Sequence, residues 1–180
     1  MKRTIILSAC ALLLAAWCAG AQTTLTYAAT GTAPKVDGTI AAKEYAVTTG
    51  DATLQTSLSW IGDTLYVAIV GQTTGWVAVG LGSTRMNSAV MYIGYVTGNK
   101  TQMKVQVGAG HQHSDTATNA PLQFTMSEAG GKTVLELALK AADFIAGGQK
   151  KLDMIIAVGG ADSFVSMHKA KASFSVTLAR

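Results

Sequence analysis

The sequence predicts an all-β fold, an antiparallel β-sandwich of immunoglobulin-like type with at most one or two short helices. Three observations predict it. Short runs rich in β-branched and aromatic residues recur along the chain, glycine-centred turns separate them, and several runs alternate apolar with polar positions. Eight runs qualify as strands: residues 54–60, 64–70, 76–81, 90–96, 103–107, 133–139, 153–158 and 174–178. That number of short strands, with no long helical pattern between them, suits a sandwich rather than a parallel sheet.

Each run has its own warrant. Residues 54–60 and 64–70 flank the turn Gly62-Asp63, and Leu65, Val67 and Ile69 put one aliphatic face on the second run. In residues 76–81, Trp76, Ala78 and Gly80 share one face and Val77, Val79 and Leu81 the other, so the valine face is assigned to the core. Gly98-Asn99 separates 90–96 from 103–107, and Gly130-Gly131 precedes 133–139, where Glu136 interrupts an otherwise apolar stretch. Gly147-Gly148 and Gly159-Gly160 bound 153–158, and 174–178 closes the series. Helical patterning is confined to residues 141–145, with a single turn expected at 41–45.

The N-terminus speaks to compartment. Lys2 and Arg3 precede an apolar run over residues 5–17, followed by Ala19-Gly20-Ala21, the pattern of a secretory signal cleaved after Ala21. The run is too short for a bilayer span, so the mature chain has no stable membrane span and is expected to be secreted or periplasmic. Trp17 stands before Cys18 where a lipoprotein signal needs a small residue, which favours a soluble product. Both cysteines leave with residues 1–21, so disulfides, thiolate metal sites and thioether-linked haem are excluded from the mature chain. Taking Lys2 and Arg3 from the 14 basic residues leaves 12 against 10 acidic ones, a net charge of +2 that gives no reason to expect nucleic acid. Residues 22–180 suit one domain with a substantial core.

Some motifs carry a family resemblance. Val36-Asp37-Gly38-Thr39-Ile40 with Glu44-Tyr45, then Trp60-Ile61-Gly62-Asp63-Thr64-Leu65-Tyr66-Val67, then Gly75-Trp76-Val77-Ala78-Val79-Gly80-Leu81 with Met86, resemble a DOMON domain. The resemblance runs from about Val36 to Leu178, and the segment 76–86 is its most specific part. That family includes the cytochrome domain of cellobiose dehydrogenase and is related to carbohydrate-binding sandwiches. In its haem-binding members a b-type haem lies in a pocket at one end of the sandwich, ligated by a Met in the loop after the "GW-apolar-GLG" strand and by a His, or sometimes a Lys, just before the final strand. The resemblance therefore implies non-covalent haem b held by Met86 and by His168, in Ser166-Met167-His168-Lys169-Ala170-Lys171. A thioether with a neutral imidazole leaves iron no open coordination position, which implies one-electron transfer with an unidentified redox protein partner.

Each candidate has a plainer reading beside it. A loop-edge methionine such as Met86 is ordinarily core filler, and His168 between Met167 and Lys169 reads as a surface histidine. Met167 competes with its neighbour for the pocket, although adjacent residues of an extended segment point to opposite faces. Trp76, Tyr92 and Tyr95 are expected to pack on a porphyrin or stack on a sugar, with small Ala78 and Gly80 leaving room beside Trp76. In Gly108-Ala109-Gly110-His111-Gln112-His113-Ser114-Asp115, His111, His113 and Asp115 form a possible divalent-metal set on a glycine loop. A solvated loop is the simpler account, and His111 or His113 replacing His168 as iron ligand is the main competing assignment.

Enzymatic classes find no support. The chain lacks Gly-x-Ser-x-Gly, a phosphate loop and a dinucleotide fingerprint. Acids such as Asp37 and Asp63 adjoin turn glycines and read as turn formers, so no pair is nominated for hydrolysis. A non-catalytic carbohydrate-binding module and a ligand-free structural or adhesion role remain as alternatives to electron transfer.

Overall fold

Alternation along a strand sorts side chains to two faces, and here the aliphatic faces of two layers meet. A computed structural model describes residues 23–110 and 112–180; the predicted export segment 1–21 and His111 lie outside the described residues. In chain order the strands are β1 (Thr24–Ala28), β2 (Val47–Gly50), β3 (Leu54–Ile61), β4 (Thr64–Gly71), β5 (Val77–Leu81), β6 (Val90–Thr97), β7 (Lys100–Ala109), β8 (Gln112–Asp115), β9 (Gln123–Ala129), β10 (Lys132–Lys140), β11 (Lys151–Gly159) and β12 (His168–Ala179). The helical expectation at 141–145 is realised as one 3-10 turn, Ala141–Asp143. That at 41–45 is a turn closed by Glu44 N–H donating to the Ala41 carbonyl at 3.3 Å. No described helix is long and apolar enough to cross a membrane.

One layer runs β8-β7-β6-β5-β11-β12 and the other β3-β4-β10-β9, with β2 beside β3. Strand β1 joins them: Thr24–Thr26 pair in parallel with Thr177–Ala179 of β12, and Tyr27–Ala28 pair in parallel with Trp60–Ile61 of β3. Every other pairing is antiparallel. Leu58, Leu65, Val67, Ile69, Val77, Val79, Leu81, Leu135, Leu137, Leu152, Met154 and Ile156 fill the space between the layers. Each such side chain contributes about 1.5–3 kcal/mol by leaving water, so this core dominates the stability.

The eight expected strands form, several of them longer than expected, and four more accompany them. β2 is short, β8 is fully exposed, and β9 is an edge strand with only Phe124 and Met126 for apolar content beside a terminal alanine, so their pattern is weak. β1 alternates but abuts the export segment.

The Val36-Asp37-Gly38 motif acts as a strap on the outer face of the second layer. Glu136 points away from the core yet is fully buried beneath the strap. Its carboxylate accepts from Gly38 N–H at 2.7 Å, Asp37 N–H at 3.2 Å and the Tyr45 hydroxyl at 2.8 Å. Burial raises the carboxyl pKa, and those donors offset part of the rise. Glu44 fastens the strap further by accepting from Lys35 and Ala41 N–H groups.

Candidate functional site

The face of the first layer turned away from the core carries a second apolar cluster, Trp76, Ala78, Ala89, Met91 and Ile93, with Met86, Tyr95, Ile155, Ala157 and Phe164 packed against it. Strand register explains the set. Gly80 lies between Ile155 of β11 and Met91 of β6, while Ala78 lies between Ala157 and Ile93. Small residues on the central strand, with Ile155, Met91 and Ile93 standing beside them, make a trough, and loops at its two ends deepen it into a cleft of about 920 Å3. Met86, Trp76, Met167, His168 and His113 all line this cleft.

Met86 sits on the loop between β5 and β6. Backbone bonds clamp that loop to the end of β7: Ser88 N–H donates to the Gly108 carbonyl at 2.9 Å and Gly108 N–H to the Ala89 carbonyl at 3.1 Å. The Asn87 side-chain oxygen accepts from Gly110 N–H at 2.9 Å. A Cβ at Gly108 would overlap the Met86 carbonyl, so glycine is required there for the close approach. The thioether is half-buried against the cleft floor.

The far end of the cleft is built on Trp76. Its indole N–H donates to Ser166 Oγ at 2.9 Å, and Ser166 Oγ donates to the Ser163 carbonyl at 3.2 Å. Its main chain bonds to Ala161 and Gly159, and its ring lies over Gly159, where a Cβ would overlap the indole. Residues 160–167 are thereby held beside the cleft, with Phe164 packed on Tyr95 at 4.8 Å between ring centroids and a tilt of 50° between the rings. Val165 and Met167 form its lip, 93% and 82% exposed.

His168 is the first residue of β12, so the strand starts earlier than the expected 174–178. A β-bulge lies there: Val158 pairs with Ala170, but Gly159 pairs with His168, leaving Lys169 as the extra residue. Lys171, opposite Ala157, faces the cleft, and regular pairing would turn Lys169 to that side as well. The bulge presents His168 instead, and the Lys169 side chain crosses Gly160.

Around the glycine segment, Gln106–Ala109 and Gln112–Asp115 pair antiparallel. His113 pairs with Gly108 and so sits at the Met86 end of the cleft, whereas His168 sits across it. Asp115 is committed elsewhere: Lys104 Nζ bonds it at 2.8 Å and Gln106 Nε2 at 2.7 Å. The Lys104 hydrogen bond, then that of Gln106, lowers the Asp115 pKa. Among the described residues no group of three His, Cys, Asp or Glu side chains could hold a metal, and His111, the third member of the divalent set with His113 and Asp115, lies outside them.

Tyr92 requires a correction. It faces the opposite side of β6 from Met91 and Ile93, is fully buried in the sandwich core, and donates its hydroxyl to the Asn119 carbonyl at 2.6 Å. It cannot pack on a ligand in the cleft; the period-2 alternation from Met91 already assigns it inward. The cleft lies on the outer face of one layer, whereas the resemblance implies a pocket at one end of the sandwich. The residues that sequence reasoning missed are Met91, Phe164, Arg85 and Lys171 in the lining, and Gly108 and Gly159 beneath Met86 and Trp76. Both glycines read as turn punctuation, although a glycine at a strand end also signals close approach.

The DOMON domain family model matches residues 48–143. The chain belongs to the DOMON domain family. The match spans Met86 and His113 and ends before His168. Comparison with curated proteins finds no match. Among solved structures, this DOMON domain is similar to the cytochrome b domain of pyranose dehydrogenase from Coprinopsis cinerea, with TM-score 0.54 and 13% identity over 69% of this chain and 76% of that one. It is similar also to the cytochrome domain of Myriococcum thermophilum cellobiose dehydrogenase, with TM-score 0.53 and 9% identity over 69% and 74%. At such identities the likeness is one of fold. A family 9 carbohydrate binding module from Caldicellulosiruptor kristjanssonii, in complex with glucose, superposes more loosely, at TM-score 0.46 and 13% identity over 86% and 95%.

Proposed function

We propose that this DOMON domain is an exported b-type cytochrome that binds haem b without covalent attachment and exchanges single electrons with a redox protein partner. One observation carries the reading: Met86 and His168 enter the same cleft from opposite ends of the central strand, over a floor of Ala78 and Gly80. The residues fit the group. The volume, about 920 Å3, lies within the range of sites for ligands of this size, the floor is apolar, and no carboxylate among the described residues lines the walls. Bound haem would supply a one-electron iron couple, which a thioether and imidazole pair sets toward high potential.

The chain's own part is to hold and enclose. Met86 would reach the iron from the loop that Gly108 anchors, and His168 from the bulge that Gly159 supports. His168 would be preferred to His113 as the partner of Met86 because it stands across the cleft, whereas His113 shares the Met86 wall. Trp76, Met91, Ile93 and Phe164 exclude water from the floor, while Met167 guards the lip. The carbohydrate alternative calls for exposed rings, and Trp76 is only 8% exposed with its N–H already committed to Ser166. In this reading residues 1–21 are a cleaved signal, 22–180 are one domain, and the domain carries electrons without catalysing a reaction itself.

The test is a reduced-minus-oxidised visible spectrum of the purified protein after haem reconstitution. Sharp α and β bands are expected, and Met86→Ala or His168→Ala should each convert low-spin to high-spin signals while His113→Ala does not. A protein that stays colourless overturns the reading. Loss of low-spin character in His113→Ala alone reassigns the histidine.

A further inference from the structure

The cleft has a charge pattern that iron ligation does not use. Apart from the imidazoles His113 and His168, its charged lining residues among the described residues are Arg85 and Lys171, with no aspartate or glutamate among them. Neither cation has a carboxylate partner among the described residues, where the one salt bridge is Lys104–Asp115. Lys104 is a useful contrast, because its ammonium is occupied by Asp115 at 2.8 Å and lies 5.3 Å from the centre of the Phe164 ring. Both free cations are exposed while the floor beneath them is buried and apolar. Arg85 sits beside Met86 at one end, and Lys171 stands on β12 opposite Ala157.

An apolar floor under a cationic rim sorts a ligand by its own amphipathy. Unpaired cations facing a low-dielectric trough favour an anionic group at the rim, and the trough favours a flat apolar body. We infer that Arg85 and Lys171 are a carboxylate-binding pair that selects porphyrins with free acid side chains and fixes the ligand with its acidic edge outward. This inference rests on the porphyrin reading of the cleft and adds to it which ligands are accepted and which way round. Arg85 offers a planar fork of donors to a carboxylate, whereas Lys171 acts as a point charge. Lys169 is excluded from the pair because its side chain crosses Gly160 and does not line the cleft.

Iron-free protoporphyrin IX and its dimethyl ester separate this pair from axial ligation, since neither offers a metal to Met86 or His168. Binding of each to the purified protein is followed by quenching of tryptophan emission, with Trp76 in the cleft wall as the reporter. The free acid should bind at least about tenfold more tightly than the ester, and Arg85→Gln and Lys171→Gln should each weaken the acid about fivefold, as one exposed charge pair allows. Neither variant should alter binding of the ester, and Lys169→Gln should alter neither. The advantage of the acid should shrink with added salt. Equal affinity for acid and ester, with both variants silent, overturns the carboxylate pair and leaves the porphyrin reading standing. Failure of both porphyrins to bind overturns the pair as a selector of free-acid porphyrins, while the haem spectrum alone decides the cytochrome reading.

Discussion

The anchoring of Met86 can be tested without any ligand by replacing Gly108 with alanine. The added Cβ would overlap the Met86 carbonyl, a backbone atom that no rotamer change can move. The loop must shift, and with it go the bonds from Ser88 N–H to Gly108, from Gly108 N–H to Ala89 and from Gly110 N–H to Asn87. At about 1 kcal/mol net for each hydrogen bond, that is a loss of about 3 kcal/mol. Alanine returns about 0.5–1 kcal/mol by restricting the unfolded chain, which leaves a net destabilisation of about 2 kcal/mol. For a domain of this size the melting temperature should fall by about 4–8 °C in a circular-dichroism melt. Gly147→Ala is the control, since no atom lies within 4 Å of its added Cβ, and it should melt slightly above the parent because the same restriction of the unfolded chain is there unopposed. If Gly108→Ala melts within about 1 °C of the parent, the close approach is not what holds the loop. In the haem-reconstituted protein the same substitution should move the low-spin spectrum toward that of Met86→Ala.

Two further outcomes are expected. Trp76→Phe keeps a ring over Gly159 but removes the donor to Ser166, so it should cost about 1 kcal/mol and speed hydrogen exchange in residues 160–168 while β3 and β4 stay protected; unchanged protection in that segment would show that the indole N–H does not hold it. Glu136, beneath Tyr45, Asp37 and Glu44, has its carboxyl raised above 4.5, chiefly by burial. A folded pKa above the unfolded one gives stability that is complete below the ordinary glutamate range and lost as pH rises through the elevated value, so the urea midpoint should fall upward from pH 4.5 and Glu136→Gln should flatten that slope. Parallel slopes in the two proteins would assign the pH dependence to another group.

Much of the fold was legible because its signals are local. Leu65, Val67 and Ile69 declare a buried face within one strand, and Val77, Val79 and Leu81 do the same for β5. The same logic placed Trp76 on the opposite face from the valines, where the structure has it. Applied to Met91 and Ile93 it would have turned Tyr92 inward; there aromatic character outweighed register. Strands β2, β8 and β9 escaped because their polar side chains reflect exposure and edge position, which are properties of the assembled sheet. Glu136 reads as an acid breaking an apolar run, and only the strap folded over it explains its place.

The amino-acid sequence by itself determined the sandwich class, the inward face of each strong strand, and the residue types capable of meeting iron. Tertiary structure decided which of them meet. Whether Met86 and His168 share a cleft depends on β11 lying between β5 and β12, a pairing between segments about eighty residues apart that no local period encodes. Whether His168 or Lys169 faces that cleft depends on one bulged residue, because side chains alternate with a period of two and a single insertion reverses every assignment beyond it.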